Sequence, residues 1–186
     1  QRPARAKRIV FCTFGSLGDL YPFLAIAREL RRQGNVPVIA TSAVYRPLVE
    51  AEGVAFHAVR PDIDVSDPEI LGRVMDPRTG GRYVVGDILM PALRDSFMDT
   101  ADAAHGADLL VVHPMALAAH AFVRMSEVPW VSAALAPVSM YSVYDPPVLS
   151  GVPFAERLAG WGPAAQRRLL RTLAFLFEPQ WKPFRE

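Results

Sequence analysis

Arg8-Ile9-Val10-Phe11-Cys12-Thr13-Phe14-Gly15-Ser16-Leu17-Gly18-Asp19-Leu20-Tyr21-Pro22-Phe23 decides the fold of this chain. Residues 8–14 form a continuous apolar run, as a strand covered on both faces should. Gly15 and Gly18 then make a tight turn. Pro22 suits the first turn of a helix, where a missing N–H costs nothing. Beyond it Phe23, Ile26, Ala27 and Leu30 recur at helical spacing, and Arg28, Glu29, Arg31, Arg32 and Gln33 fill the other face. Gly34 ends the helix. The turn carries a carboxylate, Asp19, at the carboxyl end of a first strand, which is where open α/β sheets keep their sites.

The same grammar continues outward. Val36–Thr41 reads as a second strand, with Pro37 tolerable near its start. Ser42 can cap a helix over about 44–52, which Gly53 closes, and Val54–Val59 reads as a third strand. Residues 60–81 are rich in turn formers and predict a long loop with one short helix near 68–75. A long helix over about 82–104 follows, with Pro91 placed to kink it. Asp108–His113 and Pro129–Leu135 read as the fourth and fifth strands, joined by a helix that Pro114 opens. Residues 136–153 form a second long loop, and a last helix over about 154–178 breaks near Gly160–Pro163. Alternating strands and helices on short connections predict an α/β fold: a Rossmann-like, doubly wound, mostly parallel sheet with helices on both faces. Residues 1–7 read as a disordered basic tail, and 8–186 as one domain.

Bulk properties exclude several classes. The chain has 186 residues, is 51% hydrophobic and 21% charged, and so is globular. A net charge of +1 gives no reason to expect a nucleic-acid partner. Cys12 is the one cysteine, so no internal disulfide forms and a reducing compartment is compatible. There is no apolar run long enough to span a membrane and no signal-peptide pattern, so a cytoplasmic location is expected.

The turn Gly15-Ser16-Leu17-Gly18 is neither the dinucleotide fingerprint nor a Walker loop, and no acidic residue ends the second strand. No nicotinamide or other cofactor is expected. Asp19 reads either as a helix N-cap or as a general base that takes a proton from an acceptor hydroxyl. His113 ends the fourth strand at the same sheet edge. It can orient Asp19, contact an acceptor or simply be a satisfied buried histidine. His105 suits a helix C-terminus, and His57 and His120 suit packing. No histidine pair has metal-ligand spacing, so no metal is expected, and no Gly-x-Ser-x-Gly elbow supports a hydrolase. Met140, Tyr141 and Tyr144 stand among prolines in the second loop and suit an apolar ligand. The last helix carries Arg167, Arg168 and Arg171 beside Leu169, Leu170, Leu173, Phe175, Leu176 and Phe177. Such a helix packs on another domain, the reading we favour, or lies on a membrane surface as a peripheral contact.

Phe14-Gly15-Ser16-Leu17-Gly18-Asp19-Leu20-Tyr21-Pro22-Phe23-Leu24-Ala25 resembles the opening motif of GT-B glycosyltransferases, above all the sterol glucosyltransferases and the enzymes that glycosylate glycopeptide antibiotics. Arg28-Glu29-Leu30-Arg31-Arg32-Gln33-Gly34 is similar to the end of that family's first helix, with Asn35 where histidine is usual. Val128-Pro129-Trp130 and the 136–153 loop resemble its fifth strand and acceptor loop. The resemblance implies two Rossmann-like domains facing a cleft, of which this chain is the N-terminal, acceptor-binding one. It implies that Asp19 is the base of an inverting sugar transfer. Gly15, Ser16, Gly18, His113, Met140, Tyr141 and Tyr144 would then line the acceptor site. The nucleoside diphosphate sugar would be bound mainly by a C-terminal domain. The chain stops at Pro183-Phe184-Arg185-Glu186, about where the interdomain linker is expected, so that domain is expected to be absent and the fragment alone inactive. The acceptor expected is a small apolar natural product, sterol or lipid. Two other readings stay open: a non-catalytic ligand-binding or scaffold protein that keeps this half-fold, and a different α/β enzyme holding a nucleotide at the glycine turn.

Overall fold

The computed structural model describes residues 5–64, 67–136, 142–144 and 160–181. Two compact units make up the chain: residues 1–76 with 80–135, and 77–79 with 136–186.

The first unit is built on a five-stranded sheet in the order β3-β2-β1-β4-β5, parallel throughout. Its strands are β1 Arg8–Cys12, β2 Val36–Thr41, β3 Ala55–Ala58, β4 Leu109–Val112 and β5 Trp130–Ser132. The α/β class and the doubly wound parallel sheet expected from the sequence are what forms. Strands alternate their side chains between faces, and the two faces hold separate cores. Ile9, Phe11, Ile39 and Val111 lie in one core with Leu20, Phe23, Leu24, Ala27 and Val49. Val10, Cys12, Val38, Ala40, Leu110 and Val112 lie in the other with Ala103, Ala104, Ala119 and Val123. Helices α1 Leu17–Arg32 and α2 Arg46–Ala51 therefore cover one face. The fifth and sixth helices cover the opposite one. Phe23 is fully buried, a burial that stabilises by about 1.5–3 kcal/mol.

Several local expectations change for identifiable reasons. The first helix begins at Leu17, capped by Ser16, so Pro22 lies in its interior and not in its first turn. The missing Pro22 N–H leaves the Gly18 carbonyl without its helical partner. Gly34 follows the helix at φ +85°, the left-handed conformation that closes a helix without a Cβ penalty. Pro37 is accommodated because the β2–β3 ladder starts only at Val38, so Pro37 flanks β1 alone. Ser42 makes no side-chain cap for the 3-10 turn Ala43–Tyr45 that leads into α2. Asp62, reaching back from beyond β3, accepts the Ala43 N–H at 2.6 Å instead.

Helix α3 Pro68–Val74 is the short helix expected in the first long loop. The long helix starts as a single turn, α4 Gly80–Arg82, runs as a π-helix over Tyr83–Leu89 and continues as α5 Met90–Ala104. Pro91 thus opens the regular part and does not kink its middle. His105 is the C-cap of α5. Pro114 does not open a helix: a turn over residues 113–116 intervenes, and α6 is Leu117–Met125.

The second unit contains α7 Gly162–Trp181, preceded by a turn at Gly160 and Trp161. Arg167, Arg168 and Arg171 are exposed on it. The side chains of Leu170 and residues 173–181 lie outside the described residues, as do residues 1–4, 154–159 and 183–186. Of the basic stretch at the start, Lys7 is bound: its Nζ pairs with Asp108 at 3.0 Å and its N–H donates to Asn35. No helix among the described residues is long and apolar enough to cross a membrane.

Candidate active site

The chain order and the sheet order disagree at one place. From β1 the chain moves to β2 and β3 on one side, then crosses to β4 on the other. The crevice at the carboxyl ends of β1 and β4 is therefore the topological switch point, the usual ligand site of open α/β sheets. Asp19 follows β1, and His113 follows β4.

Around Asp19 the turn is tightly specified. Ser16 and Asp19 form a capping box, so Asp19 is the third residue of α1 and not its N-cap. Asp19 Oδ2 accepts from the Ser16 N–H at 2.8 Å and from Ser16 Oγ at 3.1 Å. Ser16 Oγ in turn accepts from the Gly18 N–H at 3.2 Å. Gly15 has φ +133°, and a Cβ there would fall on Asp19 Oδ2. Glycine is needed because the carboxylate occupies that place. Tyr45 Oη donates to the Gly15 carbonyl at 2.9 Å, and Thr13 Oγ1 donates to the Asp19 carbonyl at 3.2 Å.

One carboxylate oxygen is thus used by the turn, and the other faces His113. His113 Nε2 stands 3.6 Å from Asp19 Oδ1, with the histidine side chain 6% exposed and the aspartate side chain 32% exposed. That separation is longer than a hydrogen bond. The Met115 N–H donates to His113 Nδ1 at 3.4 Å, so the neutral ring carries its hydrogen on Nε2, facing the carboxylate. Phe23 packs edge-on against the imidazole, centroids 6.1 Å apart. Burial lowers the His113 pKa, and the Asp19 charge opposes that shift. His120 is lowered as well, mainly by burial, and it packs edge-on against Trp130.

A small recess of about 30 Å³ lies between the end of β1, α5 and α6, and neither Asp19 nor His113 lines it. Cys12, Thr13 and Phe14 form its β1 side, Leu89, Leu93, Ser96 and Thr100 the α5 side, and Met115–Ala119 the α6 side. The lining is mostly apolar. Cys12 is inert there: burial pushes its thiol pKa up to about 12. Arg60 forms part of the wall and is held rigidly. Its N–H and guanidinium donate to Asp99, its guanidinium pairs with Asp95, and its carbonyl accepts from Ser96 Oγ. These bonds hold the Asp99 carboxyl below the usual aspartate range.

The structure brings Gly15, Ser16, Gly18, Asp19 and His113 together at one sheet edge. Met140 and Tyr141 lie outside the described residues. Tyr144 belongs to the second unit, where it is 75% exposed and its hydroxyl accepts from Arg167 at 3.2 Å. Reasoning from the sequence did not find Tyr45, Thr13, Ser96, Thr100 or Arg60. The capping box was present in the spacing Ser16-x-x-Asp19, but nothing local marks Tyr45. Among the described residues no cluster of histidine, cysteine and carboxylates could hold a metal ion.

An all-parallel α/β sheet with helices on both faces and a carboxylate held at the switch crevice defines a Rossmann-like domain. Comparison with known proteins narrows the class. Residues 9–87 match the glycosyltransferase family 28 N-terminal domain. A sterol 3-beta-glucosyltransferase of Gibberella zeae is 27% identical over 147 residues, which is 77% of this chain and 10% of that protein. One from Cryptococcus neoformans is 29% identical over 116 residues, 59% of this chain and 7% of that protein. The chain spans a tenth or less of the length of these relatives. Among solved structures, the calicheamicin glycosyltransferase CalG4 superposes with a TM-score of 0.56 at 17% identity, over 98% of this chain and 44% of that one. SnogD from Streptomyces nogalater superposes with a TM-score of 0.54 at 18% identity, over 90% and 41%. Over residues 9–87 the chain is similar to the glycosyltransferase family 28 N-terminal domain; its sequence resembles sterol glucosyltransferases, and it shares its fold with antibiotic glycosyltransferases.

Proposed function

We propose that this domain binds the acceptor in an inverting glycosyltransferase that moves a sugar from a nucleoside diphosphate sugar to a hydroxyl of an apolar small molecule. The observation that supports this reading most directly is the Asp19 carboxylate, anchored through Oδ2 and presented through Oδ1 beside His113. An alcohol is too weak an acid for a carboxylate to ionise outright, so the proton moves as the acceptor oxygen attacks. Asp19 takes that proton on Oδ1. The acceptor oxygen bonds to the anomeric carbon from one side while the nucleoside diphosphate leaves from the other, which inverts the centre. His113 Nε2–H faces the same oxygen and orients it. Gly15, Ser16 and Gly18 keep the turn thin enough for the acceptor to approach. Met140, Tyr141 and Tyr144 are proposed as further apolar contacts on sequence grounds alone. Phosphate binding falls to a partner domain of the GT-B cleft.

Asp19→Asn in a transferase holding this domain is expected to lower sugar transfer by about a hundredfold or more, with donor binding unchanged. Turnover assays beside donor titration check this, and undiminished turnover would remove Asp19 from the role of base.

A further inference from the structure

Tyr45 stands 30 residues from the glycine turn in sequence, is 9% exposed, and spends its one hydroxyl proton on the turn's backbone. The bond it makes has a specific consequence. The Gly15 carbonyl and the Ser16 N–H belong to one peptide unit, which is planar and rigid. Tyr45 Oη holds the carbonyl end at 2.9 Å, and the amide end donates to Asp19 Oδ2 at 2.8 Å. We infer that Tyr45 is a positioning residue for the Asp19 carboxylate, acting through the Gly15–Ser16 peptide plane. Position 15 is where such a brace is needed. A glycine at φ +133° has no Cβ to resist rotation of the following peptide, so the turn supplies little stiffness of its own. Rotation of that plane would carry the Ser16 N–H away from the carboxylate and turn Oδ1 off its aim at His113.

Tyr45 is itself anchored. It ends the 3-10 turn that Asp62 caps, and it packs in the core that contains Phe11, Leu20 and Phe23. Its hydroxyl is kept protonated: burial raises its pKa, and the Asp64 and Asp19 carboxylates add to the rise. A donor is therefore always present at the Gly15 carbonyl.

The inference rests on the proposed role of Asp19, and the test separates the two. Tyr45→Phe removes the hydroxyl and keeps the ring in the core. Hydrogen exchange of the Ser16 amide in this chain is expected to quicken by about tenfold, while amides of β1 and β4 exchange as before. In the transferase, kcat is expected to fall about tenfold with acceptor KM little changed, as misplacement of a catalytic group does. Val49→Ala, in the same core but away from the turn, serves as the control. It should lower the melting temperature and leave Ser16 exchange at the wild-type rate. An unchanged Ser16 amide in Tyr45→Phe would overturn the inference, and so would a Val49→Ala variant that loses Ser16 protection equally. If Asp19→Asn keeps full turnover while Tyr45→Phe still frees the Ser16 amide, the base assignment fails and the brace stands.

Discussion

Gly15 has no side chain because a carboxylate occupies the space one would take. Gly15→Ala therefore collides with Asp19 and places a methyl group in backbone geometry that L-residues avoid. We expect a loss of about 1–3 kcal/mol in stability, read by denaturant unfolding, and a larger loss in transfer than the stability change explains. Equal loss in an already carboxylate-free Asp19→Ala background would show that backbone strain alone is responsible. That Asp19 and His113 meet at one edge was legible in the sequence because each closely follows an apolar run, and strand ends in open α/β sheets converge on one edge. Tyr45 was not legible. Its value depends on a carbonyl 30 residues away, and no spacing rule connects the two.

Strands were the most readable elements, since a strand covered on both faces is a short apolar run bounded by turn formers. Helix starts were less so. A start depends on which polar side chain reaches the first free N–H groups, and local spacing offers several candidates. Ser16 took the cap that Asp19 also suited, and Asp62 took the one that Ser42 suited. The Asp62 bond joins the segment after β3 to the turn leading into α2, so it fastens two elements at once. Asp62→Ala is expected to cost about 1 kcal/mol, the usual value of a lost N-cap. A urea titration measures it, and a change below the error of the fit would mean that the cap is supplied by water.

For the molecule as a whole, buried His113 and half-buried His120 are expected to weaken the fold in acid. His113 and His120 both have pKa values lowered mainly by burial. The unfolded chain therefore takes up protons first as pH falls below about 6.5, and stability drops from there until the folded histidines also titrate. Unfolding free energy should be flat from neutral pH upward on this account and decline on acidification. His120→Gln should flatten part of the decline; an unaltered profile would assign the acid sensitivity to carboxylates. Strand order at this scale was only partly readable. The βαβ alternation implies a parallel sheet, but the crossing from β3 back past β1 to β4 follows from the packing of whole layers.

That crossing also sets a timetable for synthesis. Arg8 and Asp108, bonded at the foot of β1 and β4, are 100 residues apart in the chain. A ribosome adding about 5–20 residues per second takes on the order of 5–20 s to travel between them. For that interval the nascent chain holds β1 with one edge unpaired and Asp19 without its histidine. The crevice is completed only when β4 docks, so until then the β1 edge that β4 will cover stays unpaired.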